Sequence, residues 1–239
     1  MNILFKITIL VFSISPLCAY EAQENFLRAN KHYDEKEFSD AYTLYQSMEQ
    51  KDAAVLYNMG NCSYKLGNSV DALACWHRAH KKAPADLMQS ISFNIAVAEE
   101  KLGVNNETGL KKMLAKLLAH RSLFGLQILF LFLWFALFFF IKKYNRGTKY
   151  RMFFLIFLLS CTISSGAFLI LKYHSVTQHK GIVMKSDVSI FAGPDEQYHS
   201  LATMQQAEYV LVADQRDQWY KIKYKNITGW VMKDALAVV

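Results

Sequence analysis

Three prolines, ten glycines and four cysteines in 239 residues exclude several kinds of chain at once. So little proline excludes a collagen-like or proline-rich extended protein, and 53% apolar residue types exclude global disorder. The cysteines stand at positions 18, 62, 75 and 161 with no Cys-x-x-Cys pair; Cys18 lies beside the N-terminal apolar stretch and Cys161 inside a long apolar run, which leaves only Cys62 and Cys75 and no disulfide framework. Also missing are a phosphate-binding Gly-x-x-x-x-Gly-Lys loop, a Gly-x-Ser-x-Gly elbow and a His-Glu-x-x-His pair. No nucleophile can be matched with a base, and the expectation is a non-enzyme with no catalytic residues, cofactor or metal. Seven histidines are scattered along the chain. His77 and His80 lie three apart on one expected helix, but no acid or cysteine is placed to complete a metal site, so they read as solvated surface residues.

The net charge of +7 is unevenly placed. Lys142, Lys143, Arg146, Lys149 and Arg151 crowd residues 142–151 with no acid between them, and four further bases lie in 110–121. Residues 20–109 carry nine bases against thirteen acids, while 179–239 carry seven of each. Basicity confined to the flanks of apolar segments is a membrane pattern and removes the support for a nucleic-acid partner.

The chain opens with Lys6, a short apolar stretch Ile7 to Ile14, and Pro16 before Leu17-Cys18-Ala19, which reads as a signal peptide over residues 1–19. Cys18 invites a lipid-anchor reading, but the bulky Leu17 directly before it opposes that. Residues 122–141 and 152–171 are each twenty long without a formal charge, matching the roughly 20 residues needed to cross about 30 Å of hydrocarbon. They are expected to be two transmembrane helices joined by the basic loop 142–151, which should stay in the cytoplasm. Residues 20–109 and 179–239 would then both be extracytoplasmic, and a cleaved signal independently predicts that side for 20–109. Cys62 and Cys75 fall at buried-type positions of that compartment; paired core thiols are favoured over a disulfide bridge.

Within 53–84, AAVLYNMGNCSYKLGNSVDALACWHRAHKKAP, small residues at Gly60, Ala72 and Ala79 suit a close crossing of two antiparallel helices, and Leu56, Met59 and Trp76 fill the space between them. Gly67 opens the turn and Pro84 marks the end of the second helix. This segment resembles a tetratricopeptide repeat. An upstream copy at 22–52 carries Phe26, Ala29, Asn30, Tyr33, Phe38, Ala41, Tyr45 and Met48, with Tyr33, Ala41 and Tyr45 each 31 residues before Tyr64, Ala72 and Trp76. The family period is about 34, so the first unit ends early. Downstream, residues 87–103 read as the first helix of a partial third unit, or as a cap, through Ile91, Phe93, Asn94, Ile95 and Ala98, with Asn94 in place of the repeat's glycine. The predicted fold there is an all-α tetratricopeptide-repeat helical array of five helices over residues 20–109 (22–52, 53–86 and partial 87–103). The resemblance implies a partner-binding concave face formed by Phe26, Asn30, Tyr33, Tyr57, Asn61, Tyr64 and Lys65, although the same residues could simply support the fold. A carboxylate clamp is disfavoured, since Phe26, Met88 and Ser92 stand where cations should be.

From Lys180 the texture changes to short β-type runs at Gly181–Met184, Val188–Phe191, Glu208–Ala213, Trp219–Tyr224 and Gly229–Met232. With Val188 to Pro194, Trp219 to Ile222 and Gly229 to Val231, residues 181–236 resemble a bacterial SH3 domain, which implies a C-terminal all-β SH3-like barrel over 179–239. The resemblance further implies a peptidoglycan or peptide ligand, with Phe191, Asp195, Tyr198, Trp219 and Trp230 near the groove. Both tryptophans have a plain alternative as core residues.

The order of signal, repeats, two spans and SH3 domain is similar to the repeat-containing BatE-type proteins of the Bat (aerotolerance) operons, which accompany von Willebrand A-type membrane proteins. That likeness implies a scaffold of the bacterial inner membrane acting in envelope maintenance or oxidative-stress tolerance. Two other readings are open: a wall-binding module with the repeats as spacer, and an accessory of a wall hydrolase, for which no catalytic segment is in sight.

Overall fold

The structure, a computed structural model, describes residues 21–104, 122–143 and 149–239. The expected signal peptide at 1–19 and the centre of the basic loop lie outside the described residues. The chain divides into two compact units, one formed by the N-terminal helices together with the β module and the other by the two apolar helices.

In the first unit, α1 occupies residues 21–34, α2 Phe38–Ser47, α3 Ala53–Lys65, α4 Ser69–Lys82 and α5 Ala85–Leu102. The five expected helices are present. Asp52 caps α3 by accepting a hydrogen bond from the Val55 backbone N–H at 2.9 Å, and Gly67 turns the chain into α4 with φ at 89°. The crossing of α3 on α4 is as tight as the small residues imply. A Cβ added at Gly60 would sit 2.5 Å from the Trp76 ring, and Ala72 and Ala79 are fully buried. The short first repeat has a structural form: α2 has ten residues against fourteen in α4, because Met48 already takes an extended backbone.

The third unit is a single helix, α5. Phe93, aligned with the buried Met59, is 68% exposed, whereas Ile91, Ile95 and Ala98 are buried against α4. In α5 the buried residues fall on a single stripe, and no element among the described residues covers its other side. The helix serves as an end cap rather than as the opening of a repeat.

The β module is one antiparallel sheet of seven strands in the order β3-β2-β6-β5-β4-β1-β7. The strands are β1 His179–Val183, β2 Val188–Phe191, β3 Ser200–Met204, β4 Tyr209–Arg216, β5 Trp219–Tyr224, β6 Ile227–Met232 and β7 Leu236–Val238. Five of them correspond to the runs read from sequence; β3 and β7 were not foreseen. Val183, Ile190, Met204, Val210, Ile222 and Val231 form its core. Glycine is scarce enough that two tight hairpin turns use other residues in the left-handed region: Asp217 at φ 47° and Lys225 at φ 52°.

In the second unit, α6 (Leu123–Lys143) and α7 (Lys149–Thr177) contain stretches of mean hydropathy 2.5 and 2.3 that are long enough to cross a membrane. Their side chains are mostly uncovered by protein, as lipid-facing helices require. Gly166 admits the Phe130 ring, whose Cε2 would lie 3.2 Å from an added Cβ, and Phe140 meets Phe154 edge-on at 4.9 Å. The second helix extends beyond the expected span of 152–171 at both ends. It runs on through Thr177, about 44 Å in all, and leaves only Gln178 before β1.

Candidate interaction faces

On the repeats, the residues expected to bind a partner fall into two groups. Asn30 is committed to the fold. The Tyr45 hydroxyl donates to Asn30 Oδ1 at 2.5 Å, and Asn58 Nδ2 donates to both Asn30 Oδ1 and the Tyr45 oxygen at 3.1 Å. Burial pushes the fully buried Tyr45 up to about 12, keeping it a neutral donor. Phe26 packs on Tyr45 with ring centroids 5.9 Å apart, and Tyr33 meets Phe38 edge-on at 5.2 Å. These contacts hold α1 to its neighbours.

The second group keeps an open side. Asn61 Oδ1 accepts from Trp76 Nε1 and from Asn94 Nδ2, each at 3.1 Å, and Asn94 also donates to the Tyr57 hydroxyl at 3.4 Å. Tyr64 packs against Trp76 in a tilted arrangement with centroids 5.6 Å apart and carries Lys101 Nζ 4.8 Å from its ring centroid. Tyr57, Asn61 and Tyr64 are half-buried and Lys65 is exposed. Asn94 and Lys101 extend this polar and aromatic strip along α5. Asn94 was read from sequence only as a residue of the third unit and Lys101 was not singled out; the strip is legible only once α5 lies beside α3.

The structure also places the five residues chosen on the β module. Phe191 on β2 pairs across the sheet with Trp230 on β6 and meets Trp219 edge-on at 5.6 Å. Trp219 is only 8% exposed and belongs to the core. Trp230 is half-buried, with Lys221 Nζ 5.9 Å from its ring. Tyr198 lies over Gly193, where a Cβ would approach its ring to 2.6 Å, yet the side chain stays 51% exposed. Asp195 is spent on its own loop, accepting from the Gln197 N–H at 2.9 Å. Phe191, Tyr198 and Trp230 are thus available to a ligand in part, while Trp219 and Asp195 build the ledge.

A third surface was missed altogether. His77 is not a solvated histidine. Its Nε2 lies 2.7 Å from the Tyr209 hydroxyl, its ring meets Tyr209 edge-on at 5.5 Å, and that hydroxyl donates to Glu99 Oε1 at 2.7 Å. Since the hydroxyl hydrogen goes to Glu99, His77 supplies the other one as a neutral Nε2–H donor. Next to His77 on α4, Arg78 Nε donates to the Val238 carbonyl at 3.0 Å, and one turn along Lys81 Nζ donates to the Val239 carbonyl at 2.5 Å. Ile182, Ala207, Ala237 and Val239 are buried in the same apolar cluster as the repeat core. Beside them opens a cavity of about 350 Å³ lined by Tyr42, Leu56, Cys75, Arg78, Met184 and Leu236, among others. Cys62 and Cys75 are free thiols, and burial pushes both up to about 11.

Residues 186–237 match the family model of the bacterial SH3 domain, and residues 53–86 match that of the tetratricopeptide repeat. No curated protein matches the chain. Among solved structures, NlpC2 from Trichomonas vaginalis is 21% identical over 23% of this chain and 22% of that one, with a TM-score of 0.22. The chain therefore carries a protein-interaction repeat, a bacterial SH3 domain and two helices compatible with membrane anchoring. Modules of these kinds belong to protein-interaction or wall-binding adaptors.

Proposed function

We propose that the chain is a non-enzymatic scaffold of the bacterial inner membrane, with repeats and SH3 domain both on the extracytoplasmic side. The strip of Tyr57, Asn61, Tyr64, Asn94 and Lys101 docks a segment of a partner protein, and the ledge of Phe191, Tyr198 and Trp230 takes a wall fragment or peptide. The observation that carries this reading is the packing of residues 21–104 with 179–239 in one compact unit although two apolar helices separate them in sequence. Such packing needs an even number of membrane crossings between the two segments. The cations of the 142–151 loop favour the cytoplasm for the turn, which leaves the outer side for both modules. A BatE-type role, with von Willebrand A-type membrane proteins as partners, is the finer form of this proposal.

Crosslinking in intact membranes followed by pull-down tests it. Recovery of a membrane protein whose crosslinks map to Tyr57, Tyr64 or Lys101 is the expected outcome. Retention of the chain on purified peptidoglycan without any such partner would instead favour a wall-binding protein whose repeats are spacers, a reading that the aromatic ledge at Trp230 supports. Crosslinks confined to cytoplasmic proteins would overturn the topology.

A further inference from the structure

The surface that joins α4 to the β module is held by few direct polar contacts, and one of them involves a group that titrates in the physiological range when free. We propose that the repeats and the SH3 domain are fastened by an acid-sensitive clasp at His77, whose protonation releases the SH3 domain from α4. This does not depend on the ligand of either module.

The geometry carries the argument. His77 donates to the Tyr209 hydroxyl on β4, and that hydroxyl donates a hydrogen bond to Glu99 on α5, so a single line of hydrogen bonds ties three elements together. The groups facing the imidazole are mostly basic: Lys180 on β1, His80 and Lys81 on α4, with Arg78 alongside and Glu99 beyond the Tyr209 hydroxyl as the opposing anion. A second proton on His77 would place a charge in an enclosed site between cations. Burial, and then Lys180, His80 and Lys81, accordingly push His77 down from 6.5 to about 3. Burial shifts His80 in the same direction.

The sign follows from linkage. The packed form holds His77 neutral, so packing is fully favoured above the free value near 6.5 and weakens steadily as pH falls toward 3. Between pH 7.5 and pH 5 the ratio of open to packed molecules should rise about 30-fold. Opening would uncover Ile182, Ala237 and Val239 on the sheet and the outer face of α4.

The test uses the full chain in lipid nanodiscs, with a cysteine placed at Ala237, which is buried at this junction. Its reaction with an aromatic disulfide is followed by mass spectrometry of the peptide, at each pH relative to the same thiol in denaturant. The expected result is a normalised rate about 30-fold higher at pH 5 than at pH 7.5, and a rate nearly independent of pH in His77→Gln, whose neutral amide can still donate to Tyr209. Equal normalised rates in the wild-type background at the two pH values overturn the proposal, as does the same acid response in His77→Gln. Should His77→Gln already be open at pH 7.5, the slope in the wild-type background decides: the normalised rate must climb about tenfold per pH unit between pH 6 and pH 4, and a flat profile there overturns the clasp.

Discussion

The helical repeats and the β module are both too small to bury much surface, and they meet that problem by different means. The repeats rely on backbone proximity: Gly60 and Ala72 let α3 and α4 close on each other around Trp76, and the hydrogen bonds among Asn30, Tyr45 and Asn58 fix the neighbouring helices. The β module wraps a compact core of aliphatic residues, Ile190, Ile222 and Val231 among them, in one continuous sheet. Its β1 and β7 edge nevertheless leaves Ile182, Ala237 and Val239 to be covered by the repeats. The helical half is thus complete in its interior and the β half is not, so disturbing the first should propagate to the second.

Trp76→Ala is the strongest way to break that comparison. It removes a buried indole and its hydrogen bonds to Tyr57 and Asn61, at a cost of about 3–5 kcal/mol. Hydrogen exchange of the full chain should show α3 and α4 losing protection together with β7. Loss in the helices while β7 stays protected would mean that the β module is self-sufficient. Ala72→Leu, which forces three extra carbons into the closed crossing, should cost about 1–3 kcal/mol by the same measurement; an unchanged protection would mean that the crossing is looser than described.

The parts of this fold that were legible in sequence are those where a residue's size or polarity answers to its nearest neighbours in one motif. Gly60, Ala72 and Trp76 specify the repeat because each would fail in any other position of it. Strands β2, β5 and β6 announce themselves through Ile190, Trp219 and Trp230. By contrast β3 is an edge strand in which only the small Ala202 and Met204 pack on the core, so its apolar alternation is too short and weak to mark a strand. The three residues of β7 follow a 3-10 turn and are too few for any pattern. The extension of α7 to Thr177 hides behind Lys172 and His174, which look like the end of an apolar span. His77 was misread for a more general reason. The segment His77-Arg78-Ala79-His80-Lys81-Lys82 has the composition of a solvated helix face, and its partner Tyr209 lies 132 residues away.

Smaller effects sharpen the division between residues that hold the fold and residues left for a ligand. Tyr45→Phe keeps the ring and deletes one hydroxyl of the Asn30–Asn58 network, so a loss of about 1 kcal/mol is expected. Chemical denaturation followed by exchange in α1 and α3 measures it, and no change would return Asn30 to the set of candidate binding residues. Tyr198→Ala should alter stability by less than about 0.5 kcal/mol while weakening retention of the full chain on purified peptidoglycan. Retention equal to wild type would move the ligand face away from the Gly193 loop.

The central claim is that two modules separated by a membrane hairpin form one body on one side of the membrane. The most direct measurement places cysteines at Arg78 and Val238, whose side chain and carbonyl are 3.0 Å apart, and applies a short bifunctional thiol reagent that does not cross the membrane to intact cells with a permeabilised outer layer. The account predicts an intramolecular crosslink formed without entry to the cytoplasm and independent of expression level. Crosslinking only after the inner membrane is opened, or only between copies of the chain, would contradict it.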